Sequence, residues 1–225
     1  MRAPISVIIP TLNAQASLPG CLAALVEGVS SGLVREVIVT DGGSQDDTRQ
    51  IADDTGAVWV VGAASRGGQL RRGAAQARGD WLLVLHADTV LQSGWSVHAA
   101  RAVERPGAYY FRLQFRADGA APRLVEGWAN LRSRLLGLPY GDQGLLIDRA
   151  RFDAAGGYPD IPLMEDVALA RSLRGQLRGL PVRALTSAAR YERAGWLRRG
   201  SRNLLTLARY FLGADPERLA QHYRR

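Results

Sequence analysis

Leu82-Leu83-Val84-Leu85-His86-Ala87-Asp88 decides how this chain is read. Four apolar residues in a row stop at a histidine, a small residue and an aspartate. A short apolar run without polar alternation is a strand buried on both faces. Ligands of open α/β sheets bind beyond the carboxyl ends of such strands. The run therefore predicts a buried strand that delivers a carboxylate to a crevice. Asp88, with His86 two residues before it, can hold a divalent cation on a phosphorylated ligand. A strand-end aspartate can equally do no more than cap the next turn.

The flanking sequence repeats the same grammar. Ile5–Ile9, Glu36–Thr40 and Ala57–Val61 are further apolar runs, predicted as strands. Between them lie helical patterns. Leu18, Cys21, Leu22, Leu25, Val26 and Val29 recur at helical spacing up to Gly32. Asp46-Asp47 opens a second helix, with acids in the first turn where the dipole favours them. Arg66 to Arg78 is a third helix with a glycine-rich entry. Strands alternating with helices over short connections predict a mostly parallel sheet with helices on both faces. After Asp88 the order is mixed. Helices are expected over 95–103, 122–136, 149–155 and 164–175, and strands over 108–115, 144–147 and 181–185. A helical tail follows from Ser201 to Tyr223, broken at Gly213.

Composition narrows the classes. A chain of 225 residues with 47% hydrophobic content is one domain with ample core. The expected division is a nucleotide-binding half over 1–90, an acceptor half over 91–190 and a helical tail over 191–225. Cys21 is the only cysteine, so no intramolecular disulfide forms, and its apolar setting predicts a core thiol in a reducing compartment. Net charge is +8, and every basic side chain apart from histidine is arginine. The absence of lysine excludes a P-loop lysine and a Schiff base. Arginine favours bidentate contacts to phosphate or carboxylate. These arginines are spread along the chain without a dense basic run or interleaved stacking aromatics, which argues against nucleic acid. Anionic small ligands or an anionic membrane surface explain the charge. The opening Met1 to Pro10 has no long apolar run, so no leader is expected, and no stretch approaches the ~20 residues of a membrane span. The expected location is cytoplasmic, or peripheral to a membrane.

Asp41, Asp88 and the pair Glu165-Asp166 are acidic stations at predicted strand ends or helix starts. Ser65 to Arg72 adds a glycine-arginine segment between the first two. Asp41 can simply close a turn with Gly42-Gly43, and Glu165-Asp166 can simply favour a helix N-terminus. Their order along one edge of one sheet weighs toward a site.

The wording of these segments resembles family 2 glycosyltransferases of GT-A fold. The resemblance is carried by Val7 to Asn13 and Glu36 to Thr48. Arg66-Gly67-Gly68-Gln69, Leu85-His86-Ala87-Asp88-Thr89, Tyr140 to Gly144, Gly156 to Val167 and the tail from Arg193 to Tyr223 resemble a small bacterial subgroup named as arsenosugar-biosynthesis-type, or radical-SAM/selenodomain-associated, glycosyltransferases.

The resemblance implies an enzyme that takes a nucleotide-diphospho-sugar, with a UDP-sugar first, and an acceptor that is small or lipid-linked. It implies a nucleoside pocket lined by Pro10, Thr11, Asn13 and Asp41, where Asp41 accepts from the base N–H or a ribose hydroxyl. Arg66 reaches the base or diphosphate, with Gln69 and Arg72 as weaker candidates. Asp88 matches the last acid of the family's Asp-X-Asp motif, holding Mg²⁺ or Mn²⁺ on the diphosphate. His86 stands where the first acid often sits. As a ligand it favours Mn²⁺; it can also be a hydrogen-bonding residue without metal contact. Asp166 matches the general base of inverting members, and Glu165 can exchange roles with it. Asp142 and Gln143 lie on the acceptor side, or form a structural turn. The arginine-rich tail can cover the domain, pair two copies or lie on an anionic bilayer, and Arg198 and Arg199 can close over the diphosphate. Two other readings compete: a sugar-phosphate nucleotidyltransferase, whose Gly-rich Arg…Lys loop is absent here, and a non-catalytic sugar-nucleotide-binding protein.

Overall fold

The structure, a computed structural model, describes residues 3–224. Met1 and Arg2, the first residues of the stretch read for a leader, lie outside the described residues, as does Arg225. The four expected strands of the first half form: β1 (Ile5–Thr11), β2 (Val34–Asp41), β3 (Val58–Val61) and β4 (Trp81–Val84). They are parallel and lie side by side in the order β3-β2-β1-β4. The sheet continues through β5 (Val90–Leu91), β6 (Ala108–Phe115), β7 (Leu145–Asp148) and β8 (Leu177–Thr186), giving the order β3-β2-β1-β4-β7-β6-β8-β5. β7 runs antiparallel to both β4 and β6, while β6 and β8 are parallel. From β1 the chain winds outward to β2 and β3 and then returns to β4 on the other side. That reversal between β1 and β4 opens a crevice past their carboxyl ends.

The continuous apolar strands β1 and β4 serve two cores at once, whereas β3, also a continuous apolar run, is an edge strand with Val58 and Val61 exposed. Ile5, Val7 and Ile9 face one way, onto helix α1 (Leu18–Ser30), with Leu18, Cys21 and Leu25. Ile8, Leu82 and Val84 face the other way, onto Leu70 and Ala74 of helix α3 (Arg66–Gln76). Each fully buried Ile or Leu contributes about 1.5–3 kcal/mol. Cys21 is a core thiol, as expected, and burial pushes its pKa up to about 12.

Helix α2 (Thr48–Asp54) starts later than its acids suggest. Asp46 lies outside it, and its carboxylate accepts from the Thr48 N–H (3.1 Å) and the Gln15 N–H (3.0 Å). The second half holds α4 (Trp95–Ala102), α5 (Ala120–Leu136), α6 (Arg149–Ala154) and α7 (Glu165–Ser172). α7 is shorter than 164–175: Met164 takes a left-handed φ of 69° at its start, and at its end the chain turns after Ser172, with Gly175 at φ 80°. The strand expected over 181–185 runs from 177, since an irregularity lets β8 pair with β6 twice, up to Tyr110 and again from Arg112. The tail forms α8 (Ala189–Ala194), α9 (Trp196–Phe211) and α10 (Pro216–Arg224), with Gly213 at φ 88° in the break. No sequence pattern announced α8 or β5.

Candidate active site

The end of the first half is built by staples. Asp41 is buried, and its two oxygens accept from the Thr11 hydroxyl (2.9 Å), the Ser44 hydroxyl (2.5 Å) and the Gly43 and Ser44 N–H groups (both 2.6 Å). The Gln69 amide donates to the Thr11 carbonyl (2.8 Å) and the Thr40 carbonyl (2.7 Å), tying α3 to the ends of β1 and β2. Asn13, at φ 51°, joins the same turn: its N–H donates to Ser44 Oγ and its side chain accepts from the Gln45 N–H. The turn-closing role considered for Asp41 therefore describes its bonds here, and Asp41 does not line the cleft described below.

The Arg66-Gly67-Gly68-Gln69 segment has a mechanical reason. A Cβ at Gly67 would strike the backbone of Pro159 and Ile161, and one at Gly68 would meet Asp160. The Gly67 N–H donates to the Ile161 carbonyl (3.2 Å), and Ser65 donates to Asp160 (2.9 Å). The two glycines let the loop before α7 lie flat on the start of α3. That contact brings Arg66 Nε to 3.5 Å from Glu165 Oε1.

Glu165 is 1% exposed, and among the described residues its other oxygen has no hydrogen-bond partner. Burial, reinforced by Asp166 and opposed by Arg66, raises its pKa to about 7. Asp166 is held by the backbone: Oδ2 accepts from the Gly141 N–H (2.6 Å), and Oδ1 from the Val167 N–H (2.7 Å). A carboxylate has about four acceptor sites, so both oxygens keep spare capacity. Asp142 lies on a 3₁₀ turn, Gly141–Gln143. One of its oxygens is sealed without a partner. Burial raises its pKa to about 6; Arg132 opposes this, while Asp166 and Asp88 add to it. Gln143 belongs to the frame instead. It is fully buried, accepts from Ser133 Oγ (2.6 Å) and donates to the Phe111 carbonyl (3.1 Å), so the structural-turn alternative holds for it.

Two adjoining hollows meet at the carboxyl edge. A cleft of about 680 Å³ is lined by Pro10, Thr11, Asn13, Gln69 and Asp88 among others. A second cavity of about 110 Å³ holds Tyr140, Asp142 and Asp166. Arg66, His86, Asp88, Leu163, Arg190 and Arg199 line both and form the wall between them. His86 is pressed well below its usual pKa by burial first, then by Arg66 and Arg190, so its ring is neutral near pH 7. A Cβ at Gly141 would collide with that ring, which is why a glycine stands there. Arg72 lies away from both hollows, donating to the Ala63 carbonyl (2.9 Å). Of the two tail arginines expected near the site, Arg199 lines the wall and Arg198 does not. Arg190 escaped the sequence reading; no local pattern separates it from the other arginines.

A parallel half ending in an acid- and arginine-lined cleft at its switch point defines the class, a GT-A fold. The chain belongs to glycosyl transferase family 2, whose model matches residues 6–140. A "PGL/p-HBAD biosynthesis glycosyltransferase" of Mycobacterium tuberculosis is 37% identical over 99 residues, covering 40% of this chain and 38% of that protein. The match therefore spans about two fifths of this curated relative's length. Among solved structures, the mannosyltransferase PcManGT from Pyrobaculum calidifontis, in complex with GDP-Man and Mn²⁺, has a TM-score of 0.66 at 16% identity. That likeness covers 96% of this chain and 66% of the neighbour. Glucosyl-3-phosphoglycerate synthase from M. tuberculosis, in complex with Mg²⁺ and UDP, has a TM-score of 0.58 at 21% identity, over 82% of this chain and 69% of the other.

Proposed function

We propose that this chain transfers a sugar from a nucleotide-diphospho-sugar to an acceptor hydroxyl, inverting the anomeric carbon, with Asp166 as general base. One observation carries the reading. Asp88, Arg66, Arg190 and Arg199 form a wall shared by a cleft at the ends of β1 and β4 and a cavity that holds Asp166. A donor lying across that wall puts its nucleoside in the cleft, its diphosphate against the arginines and its sugar toward Asp166.

The acceptor oxygen attacks the anomeric carbon as Asp166 takes its proton. The bond from that carbon to the diphosphate breaks, and the nucleoside diphosphate leaves with the electron pair. The arginines neutralise the charge that develops on it. Pro10, Thr11 and Asn13 line the nucleoside end, and Asp41 and Gln69 fix its shape through the bonds they make. Asp142, which lines the same cavity as Asp166, lies on the acceptor side. Glu165 holds Arg66 and through it couples the two hollows.

No cluster of three or more His, Cys, Asp or Glu suited to a metal exists among the described residues. The donor set nevertheless suits a cation shared with substrate. The Asp88 carboxylate has no hydrogen-bond or ion-pair partner among the described residues. Mg²⁺ is commonly bound by one or two carboxylates together with substrate phosphates. The neutral His86 ring beside it favours Mn²⁺. Such a cation adds positive charge at the leaving diphosphate. The neighbours named with UDP and with GDP-Man support a nucleotide-sugar donor, with a UDP-sugar tried first. Membership of the arsenosugar-type subgroup rests on the segments at 66–69, 85–89, 140–144 and 156–167 and on the tail.

The test is consumption of UDP- and GDP-sugars by the purified chain, with and without Mn²⁺ or Mg²⁺. Release of nucleoside diphosphate supports the reading. Nucleotide binding without turnover of any donor overturns it in favour of a binding protein. Formation of pyrophosphate from a nucleoside triphosphate and a sugar phosphate overturns it in favour of a nucleotidyltransferase.

A further inference from the structure

Helix α5 turns an apolar stripe to solvent. Leu124, Trp128, Leu131 and Leu135 follow one another at steps of four, three and four, which puts them on one face. They are between 47% and 68% exposed, while Ala129 and Ser133 on the opposite face are buried. Surface helices ordinarily place polar residues there. Helix α9 is in contact with α5 and does the same. Its Leu197, Leu204 and Leu205, with Leu212 at its end, are exposed, and its buried residues are Thr206 and Leu207.

The charges beside these stripes have one sign. Arg198, Arg202 and Arg209 lie on α9, which contains no acidic residue. Arg123 and Arg134 lie on α5, where the one acid, Glu126, is spent on the Phe115 N–H (2.7 Å). An apolar face rimmed by cations, on helices not long and apolar enough to cross a membrane, suits the plane of an anionic interface. A second copy suits it poorly. A two-fold pairing sets the same patch against itself, so arginine would meet arginine.

We propose that the outward faces of α5 and α9 together dock the protein on an anionic lipid bilayer. The inward face of α9 carries Arg199 and Asn203 into the cavity that holds Asp166. A docked α9 therefore sets that cavity one helix diameter, about 10 Å, from the lipid surface. Resting on the glycosyl-transfer reading, this further commits the acceptor to an amphiphile presented by the bilayer; the docking itself does not depend on that reading.

The experiment is flotation of the full chain with phosphatidylcholine vesicles, with and without phosphatidylglycerol. Binding is expected only to the anionic vesicles and is weakened by salt. Leu131→Gln/Leu135→Gln and Leu205→Gln/Leu212→Gln change exposed residues only, and each pair is expected to weaken binding by tenfold or more. Arg198→Gln/Arg209→Gln, with the apolar stripes intact, is expected to weaken it about 25-fold, near fivefold for each arginine. Circular dichroism and sedimentation velocity accompany each variant. Absence of flotation, or flotation that neither the leucine nor the arginine variants reduce, overturns the proposal. So does a dimer that the leucine variants dissociate while no vesicle is bound. Because no donor is present, loss of docking and loss of sugar transfer are read separately.

Discussion

The ends of β1 and β2 treat their polar side chains in the opposite way from the loops around α7. At the first, Asp41, Thr11, Gln69 and Asn13 bond one another and the backbone, and the Asp41 carboxylate accepts four hydrogen bonds. At the second, Glu165 and Asp142 each keep a sealed oxygen without a partner, and both carboxyls titrate above their usual range. A buried polar atom left unbonded costs about 1–3 kcal/mol. Folding alone would have removed that cost, as it does at Asp41. Under the proposed glycosyl transfer, the first region is a fixed frame that shapes a cleft, and the second, with Asp166 in the adjoining cavity, supplies the acids of the reaction.

Four substitutions test that contrast. Asp166→Asn is expected to lower sugar transfer by about 10²–10⁴-fold while leaving donor binding near that of the parent; its amide can accept only one of the two backbone N–H bonds, so unfolding stability falls by about 1–3 kcal/mol. Full activity with normal donor binding would remove Asp166 from the mechanism. Asp41→Ala strikes the frame instead. It strands hydroxyl and amide donors at once and is expected to cost about 2–4 kcal/mol in urea unfolding. An unchanged unfolding midpoint would mean that the frame is not held from Asp41.

Glu165→Gln separates the regions by pH. The folded protein raises the Glu165 pKa to about 7, so it holds a proton that the unfolded chain has already lost. Its stabilisation is full below the ordinary carboxyl range and is lost as pH rises toward about 7. Chemical denaturation between about pH 5 and pH 8 should show stability falling by about 1–3 kcal/mol from this group, and the glutamine variant should flatten the fall. A slope unchanged by the substitution would assign the titration elsewhere. The smallest effect is expected from His86→Asp, which supplies a second acid beside Asp88. The concentration of Mg²⁺ giving half-maximal activity should drop about tenfold, since hard cations prefer oxygen ligands. No change would place position 86 outside the metal's reach.

Much of this was legible in the chain. The runs at Ile5–Ile9, Glu36–Thr40 and Leu82–Leu85 predict strands buried on both faces, and all three lie in the sheet core. Asp88, Arg66 and Asp166 emerge from their motifs and meet at the adjoining hollows. The two-residue strand β5 was not legible, because it exists only by pairing with β8. Arg190 and Asn203 were not legible either, since an arginine or asparagine on a helix says nothing about which cavity the helix covers. Gln69 and Gln143 read as candidate contacts to ligand, and Gln143 proves to be a staple.

The sequence by itself determined the parallel half, the order of its acidic stations and the family. Periodicity and strand-end chemistry are local, and local patterns survive in one dimension. The tertiary structure alone decided which polar atoms are spent and which are held ready. It decided that Gly67 and Gly68 seat the loop leading into α7, which begins with Glu165 and Asp166, and that Arg190 and Arg199 join Asp88 in one wall. Those outcomes depend on contacts between residues far apart in the chain, where hydrogen-bond satisfaction and desolvation are set by neighbours that no local pattern names.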